Sequence, residues 1–137
     1  MDRLKRIKYI CYLLLGAFIL SSSCIRSTCE RIIPENLRCE MLIDPEGIDT
    51  PNPGLSWEIK SEQRNIMQKA FRVLVASSSE KLAADEGDLW NSGLVESDRS
   101  VHVQYAGRPL ESGVKCYWKV KVWSGDGESD WSPPAYW

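Results

Sequence analysis

Cys116-Tyr117-Trp118-Lys119-Val120-Lys121-Val122-Trp123 is the stretch whose reading decides the fold. Its residues alternate in the period-2 manner of a half-buried strand. Cys116, Trp118, Val120 and Val122 point one way, Tyr117, Lys119, Lys121 and Trp123 the other. Ser124-Gly125-Asp126-Gly127-Glu128-Ser129 follows with the composition of a hairpin turn. A second strand then leaves along Trp131 until Pro133 and Pro134 block further ladder donation. Such a hairpin is at best marginal alone in water, so the rest of the chain must supply a second sheet.

Working outward, the other strand signals come at similar spacing. Leu37, Cys39, Met41 and Ile43 alternate with Arg38 and Glu40, which predicts four inward side chains ending at Asp44-Pro45-Glu46-Gly47. Asp49-Thr50-Pro51-Asn52-Pro53-Gly54 is a rigid connection, and Leu55-Ser56-Trp57-Glu58-Ile59 is a strand with Leu55, Trp57 and Ile59 inward. Ala70-Phe71-Arg72-Val73-Leu74-Val75-Ala76 is the most apolar run after the N-terminal region and predicts a central strand. Ser77 with Glu80 three residues later predicts a helix N-cap, a single helical turn through Lys81–Ala84 and a stop at Gly87. Leu89–Gly93 adds a short strand and Val101–Tyr105 a longer alternating one, with His102 on the solvated side. The reading is all-β: an antiparallel sandwich of about seven strands, with turn signals every 8–12 residues or so.

The N-terminal region reads differently. Arg3, Lys5, Arg6 and Lys8 precede an apolar run from Ile10 to Leu20, then Ser21-Ser22-Ser23-Cys24. Those are the n-region, h-region and small-residue cleavage site of an export signal, and the run is too short for a comfortable bilayer span. Cys24 resembles the lipidated cysteine of a bacterial lipobox, although Ser21 stands where Leu is commonest. The expected organisation is a lipoprotein-type signal helix over 1–24, a tether over 25–33 and the sandwich over 34–137. The expected location is a lipid-anchored one in the periplasm or on the cell surface, with plain secretion as the alternative.

Charge and chemistry exclude several classes. Without residues 1–24, 13 basic residues face 18 acids, a net charge of −5. A mildly acidic domain with no basic stripe argues against a nucleic-acid partner. Cys29, Cys39 and Cys116 form no regular framework, so buried free thiols are expected at Cys39 and Cys116. One histidine, His102, cannot build a triad or a zinc cluster. The acids fall in turns (Asp44/Glu46, Asp85/Glu86/Asp88, Glu96/Asp98, Asp126/Glu128/Asp130), where carboxylates are usually solvated caps; none shows the full spacing of a calcium loop. No catalytic, cofactor or metal residue is assigned. The compositional excess is six tryptophans. Trp57 and Trp118 read as core, and Trp123 with Trp131 form a candidate aromatic surface platform for a sugar ring. The favoured alternative places the outward Trp123 or Trp131 under the stems of Lys119 and Lys121.

Leu110, Gly113, the Cys116–Val122 strand and Gly127-Glu128-Ser129 resemble strands F and G of a fibronectin type III domain. Cys116 stands where the tyrosine-corner Tyr would be, so Tyr117 takes that job or the corner is missing. Five segments together resemble the N-terminal fibronectin-III-like domain of bacterial α-L-rhamnosidases. They are Leu37-Arg38-Cys39-Glu40, the run Gly47–Trp57, Phe71–Ser77, Asp88-Leu89-Trp90-Asn91-Ser92-Gly93 and Cys116–Val120. The resemblance implies an accessory module, without cofactor, ahead of further β-domains and an (α/α)₆ barrel that hydrolyses terminal α-L-rhamnose with inversion. It implies that this chain lacks that barrel and is inactive alone, and that its partners are the other domains of a rhamnosidase polypeptide. A stand-alone carbohydrate- or protein-binding lipoprotein is the alternative.

Overall fold

Residues 32–125 and 127–137 are described by a computed structural model. The quoted stretch is strand β7 (Tyr117–Ser124), and its parity holds on the inner side: Trp118, Val120 and Val122 are buried, as is Cys116 just before it. In chain order the other elements are β1 (Ile33–Cys39), β2 (Gly54–Lys60), β3 (Ala70–Ala76), helix α1 (Ser79–Ala83), β4 (Trp90–Asn91), β5 (Val95–Glu96), β6 (Val103–Gln104), β8 (Gly127–Glu128) and β9 (Ala135–Tyr136). There are nine strands among the described residues instead of about seven, because the edges of the second sheet break into two-residue pieces.

All pairings are antiparallel. One sheet runs β1-β2-β6; the other runs β4-β3-β7-β8, with β5 also on β3 and β9 also on β7. The long β3–β7 ladder sets Phe71 opposite Val122, Val73 opposite Val120 and Val75 opposite Trp118. Those six side chains form the inner face of the second sheet. They meet Leu37, Cys39, Leu55, Trp57, Val103 and Tyr105 from the first sheet in one contiguous core. Trp57 meets Phe71 edge-on across the two layers, ring centroids 5.2 Å apart. The architecture is an immunoglobulin-like β-sandwich.

Several expectations fail for local reasons. The β1 alternation stops at Cys39. Glu40 and Met41 both take positive φ (49° and 65°), making the tight turn in which Cys39 and Leu42 exchange backbone hydrogen bonds at 2.9 Å. Met41 and Ile43 are therefore exposed, not inward. The helix N-cap is Ser78, whose hydroxyl accepts the Lys81 N–H, one residue later than predicted. The helix ends before Gly87. Gly87 is needed for a close approach, since a Cβ there would lie 2.5 Å from the Trp90 carbonyl oxygen. The 101–105 strand shrinks to Val103–Gln104 because His102 takes φ 51° and turns Val101 out to solvent.

The two prolines do not end the pairing along β7. Between β8 and β9 the chain keeps its ladder through two serines. Ser129 N–H donates to the Val122 carbonyl while its hydroxyl accepts the Val122 N–H, and Ser132 does the same with Val120. On the far side Ser92 repeats the arrangement with Val73. Serine oxygens stand in for strand carbonyls, so Val73, Val120 and Val122 keep their N–H groups paired.

Candidate functional site

The outer face of the β3–β7 sheet carries the aromatic and charged residues singled out above. Cross-strand register sets Arg72 beside Lys121 and Leu74 beside Lys119. Trp131, carried over this face by the Ser129–Ser132 segment, gathers the cations: Lys119 Nζ lies 4.9 Å from its ring centroid, Lys121 Nζ 5.6 Å and the Arg72 guanidinium carbon 6.0 Å. Trp123 is half-buried on the same face, beyond Lys121. Strand parity put Lys119 on the outer face, yet it is only 8% exposed. Helix α1 covers it. The ammonium donates to the Leu82 carbonyl oxygen at 2.7 Å and to the Asp85 carboxylate, tying the helix end to the sheet. Leu82, Leu74 and Ala76 form a second small core there, with Tyr117 and Trp131 against it. The candidate sugar platform is therefore a site where Trp131 already faces three cations.

Tyr117 does not form a tyrosine corner. Its ring lies 6.3 Å from that of Tyr136, and Lys115 Nζ sits 3.6 Å from the Tyr136 centroid. Tyr105 does the tying instead, its hydroxyl lying within hydrogen-bonding distance of the Arg108 carbonyl (2.8 Å) and the Leu89 carbonyl (3.2 Å). Gly107 makes room for it, because a Cβ there would come within 2.5 Å of the Tyr105 hydroxyl. Burial pushes the Tyr105 phenol up to about 12, helped by the nearby Cys116 thiol. Cys39 and Cys116 are buried free thiols, pushed up to about 12 and about 11, mainly by loss of water. Neither has the lowered pKa of a nucleophile.

Two of the turn acids, Asp88 and Glu128, are committed to local structure. Asp88 accepts from Ser77 N–H at 2.9 Å, from the Ser77 hydroxyl at 2.7 Å and from Lys81 Nζ at 2.8 Å. Partial desolvation pushes its carboxyl up, but these hydrogen bonds and the Lys81 charge outweigh it and hold the group at about 2. Glu128 lies 3.5 Å from Lys121 Nζ. Asp126 and Cys24 lie outside the described residues. Among the described residues no three His, Cys, Asp or Glu side chains gather to hold a metal ion. His102 is exposed, and its backbone N–H donates to the Ser56 hydroxyl at 3.0 Å.

A concavity lies at one end of the sandwich. A cleft of about 490 Å³ opens between the loop Pro45–Pro51 and the loop Leu110–Lys115, with Trp137 between them. Gly47 (φ 79°) and Gly113 (φ 81°) supply left-handed turns on its two sides. Trp137 is buried and is held by paired backbone bonds to Cys116 at 2.9 and 3.0 Å. Its ring stands edge-on to Tyr105 and Trp118, at 6.0 and 6.4 Å. Sequence reasoning missed this cleft, although the Asp49–Gly54 connection and the residues Leu110 and Gly113 were each singled out.

Comparison with known proteins agrees with this anatomy. The Rha78A-like, N-terminal immunoglobulin domain matches residues 34–137. An α-L-rhamnosidase of Formosa agariphila is 45% identical over 94 residues, covering 68% of this chain and 10% of that protein. The crystal structure of the Streptomyces avermitilis α-L-rhamnosidase complexed with L-rhamnose superposes with a TM-score of 0.73 at 40% identity, covering 77% of this chain and 10% of that one. The Dictyoglumus thermophilum α-L-rhamnosidase structure also gives 0.73, at 36% identity, covering 76% and 12%. The chain thus spans about a tenth of the length of these relatives. A sandwich with this ladder and this match over 34–137 belongs to the Rha78A-like N-terminal immunoglobulin domain family.

Proposed function

We propose that the chain serves as a non-catalytic N-terminal accessory module of an exported α-L-rhamnosidase polypeptide. The observation that carries this reading is the family match over 34–137, which equals about a tenth of each rhamnosidase relative. The side-chain chemistry supports it. Inverting glycoside hydrolysis takes two carboxyl groups about 6.5–9.5 Å apart, one of them with a raised pKa. The carboxyls with displaced values, Asp88 and Glu80, move down, the wrong direction for a general acid. The module's work is then to fold early, carry the export signal and brace what it is joined to. Its anchor is a lipid on Cys24, placing it in the periplasm or on the cell surface.

Two experiments test this. Purified chain incubated with a chromogenic aryl α-L-rhamnoside should release no phenol. Turnover abolished by replacing a single Asp or Glu with its amide would make the chain an enzyme. Cys24→Ala should abolish palmitate labelling and leave an unprocessed precursor; persistent labelling would remove the lipid anchor from the account.

A further inference from the structure

One end of the sandwich presents apolar side chains that the domain itself does not cover. Leu42 is 58% exposed, Ile43 69% and Val114 42%. Leu42 and Ile43 sit on and beyond the tight turn in which Glu40 and Met41 hold positive φ, a conformation disfavoured for residues with a Cβ. Three hydrogen bonds to side chains help hold this turn region in place. The Glu40 carboxylate accepts the Gly54 N–H, the Met41 sulfur accepts the Ser56 hydroxyl at 3.8 Å and the Asp44 carboxylate accepts the Tyr136 N–H at 3.0 Å. The last of these fastens the apolar tip to β9, beside Trp137. Asp44 also leads directly into the Pro45–Pro51 wall of the cleft, and Val114 belongs to the opposite wall. The tip and the cleft are thus one continuous surface. The β1–β2 register puts Ile33 beside Lys60 and Cys39 beside Leu55, so the N-terminal end of the domain lies at the far end of the first sheet from this surface.

We infer that this surface docks the domain that follows in an α-L-rhamnosidase polypeptide, with Leu42, Ile43 and Val114 as its apolar contacts and the cleft beside Trp137 as its seat. The inference rests on the accessory-module reading above. The matched domain is N-terminal in its family and makes up about a tenth of its relatives, so their remaining length follows the end at which Trp137 stands. A domain joined there is held at high effective concentration over whatever lies beside the junction. Exposed apolar side chains beside such a junction are the composition of an interface core, while Glu46, Asp49, Glu111 and Lys115 supply a polar rim.

The test is a chimera in which the whole chain replaces the matching segment of the Streptomyces avermitilis α-L-rhamnosidase. Hydrogen exchange is compared between chimera and free chain. Amides of 41–43 and 111–115 should exchange at least about tenfold more slowly in the chimera, and Leu42→Glu with Ile43→Glu should remove that protection. Unchanged exchange in both loops overturns the proposal. If protection appears instead around Met67, Leu94 and Val101, this surface is wrong while the accessory reading stands; if no part of the domain changes, both fall. A measurement in trans, free chain titrated against the enzyme lacking that segment, does not depend on the chimera folding. Binding weakened at least about tenfold by the double substitution, about 1.4 kcal/mol, supports the surface. Equal affinity of both forms, or no binding, overturns it.

Discussion

Gln68→Met isolates a buried side-chain amide that ties the Trp57 indole to the 97–99 loop. Gln68 is buried, and its carbonyl oxygen accepts the Trp57 indole N–H at 2.9 Å. Its amide nitrogen donates to the Ser97 carbonyl at 3.0 Å and the Arg99 carbonyl at 2.9 Å. The amide orientation follows from chemistry, because an indole N–H can only donate and two carbonyls can only accept. Methionine keeps the approximate volume, so no cavity is created and the loss is polar. Three hydrogen bonds at about 1 kcal/mol each disappear, and the buried indole N–H is left unpaired at a further cost of about 1–3 kcal/mol. The two carbonyls belong to the partly exposed 97–99 loop and regain water, which returns part of that. The net expectation is about 2–4 kcal/mol, a large share of the roughly 5–15 kcal/mol typical of a domain. Urea titration followed by tryptophan fluorescence reads it as a lower midpoint at constant slope. Met67→Gln, on the exposed neighbour, is the control and should stay within about 0.5 kcal/mol. A Gln68→Met loss below about 0.5 kcal/mol would refute the assignment of a fully engaged buried amide.

Two further outcomes follow from the same structure. Trp118→Ala should cost about 3–5 kcal/mol in the same titration, since the side chain is fully buried between Val75 and the Trp137 ring. Trp118→Phe should cost clearly less, because the Trp118 indole N–H has no partner among the described residues and its removal relieves a buried orphan. Equal losses would contradict that. Asp88 sets an acid limit: its carboxyl is held below the unfolded value of 3.8, at about 2. Its contribution is therefore complete above the unfolded value and is lost as pH falls through the folded one. Difference titrations against Asp88→Asn should show a gap of about 1–2 kcal/mol at pH 6 that shrinks below about pH 4 and closes only below the folded value of about 2, the figure being discounted because the side chain is 27% exposed. A gap independent of pH would sink the assignment.

Strand period made much of the core legible. Trp57, Phe71, Val73, Val75, Trp118, Val120 and Val122 all face one core, because side-chain parity in a paired strand is fixed by geometry. Parity names a face, however, and not what covers it. Lys119 is on the outer face as read, yet it is buried because one short helix turn lies over it. Met41 and Ile43 continue the alternation of β1, and no Gly or Asn marks the turn that stops it, so pattern alone carried the strand too far. The Tyr105 corner left one trace, Gly107 two residues later, but a hydrogen bond to a backbone carbonyl three residues on has no composition of its own. The cleft was illegible because it arises from two loops that are distant in the chain and meet at Trp137.

The three serines explain why the second sheet looks fragmentary and still encloses its core. β3 and β7 have long, apolar inner faces, and long partners on both sides would have left extended edges open to other chains. Here the partners are two-residue strands, and the gaps are bridged at Ser92, Ser129 and Ser132. Each hydroxyl accepts a valine N–H and lies within 2.6–2.9 Å of the next carbonyl in its own chain, that of Gly93, Asp130 or Pro133. A hydroxyl can do both because it carries a donor and two acceptor lone pairs. The local chain is then free to leave strand geometry, and this freedom lets Trp131 turn outward over Lys119 and Lys121 while Ala135 and Trp137 return to the core. The same substitution of hydroxyl for carbonyl accommodates Pro133 and Pro134, since neither is asked to donate to the ladder. What reads in sequence as the end of a hairpin is an edge in which side chains keep the sheet's hydrogen bonds and deny a template to a neighbour.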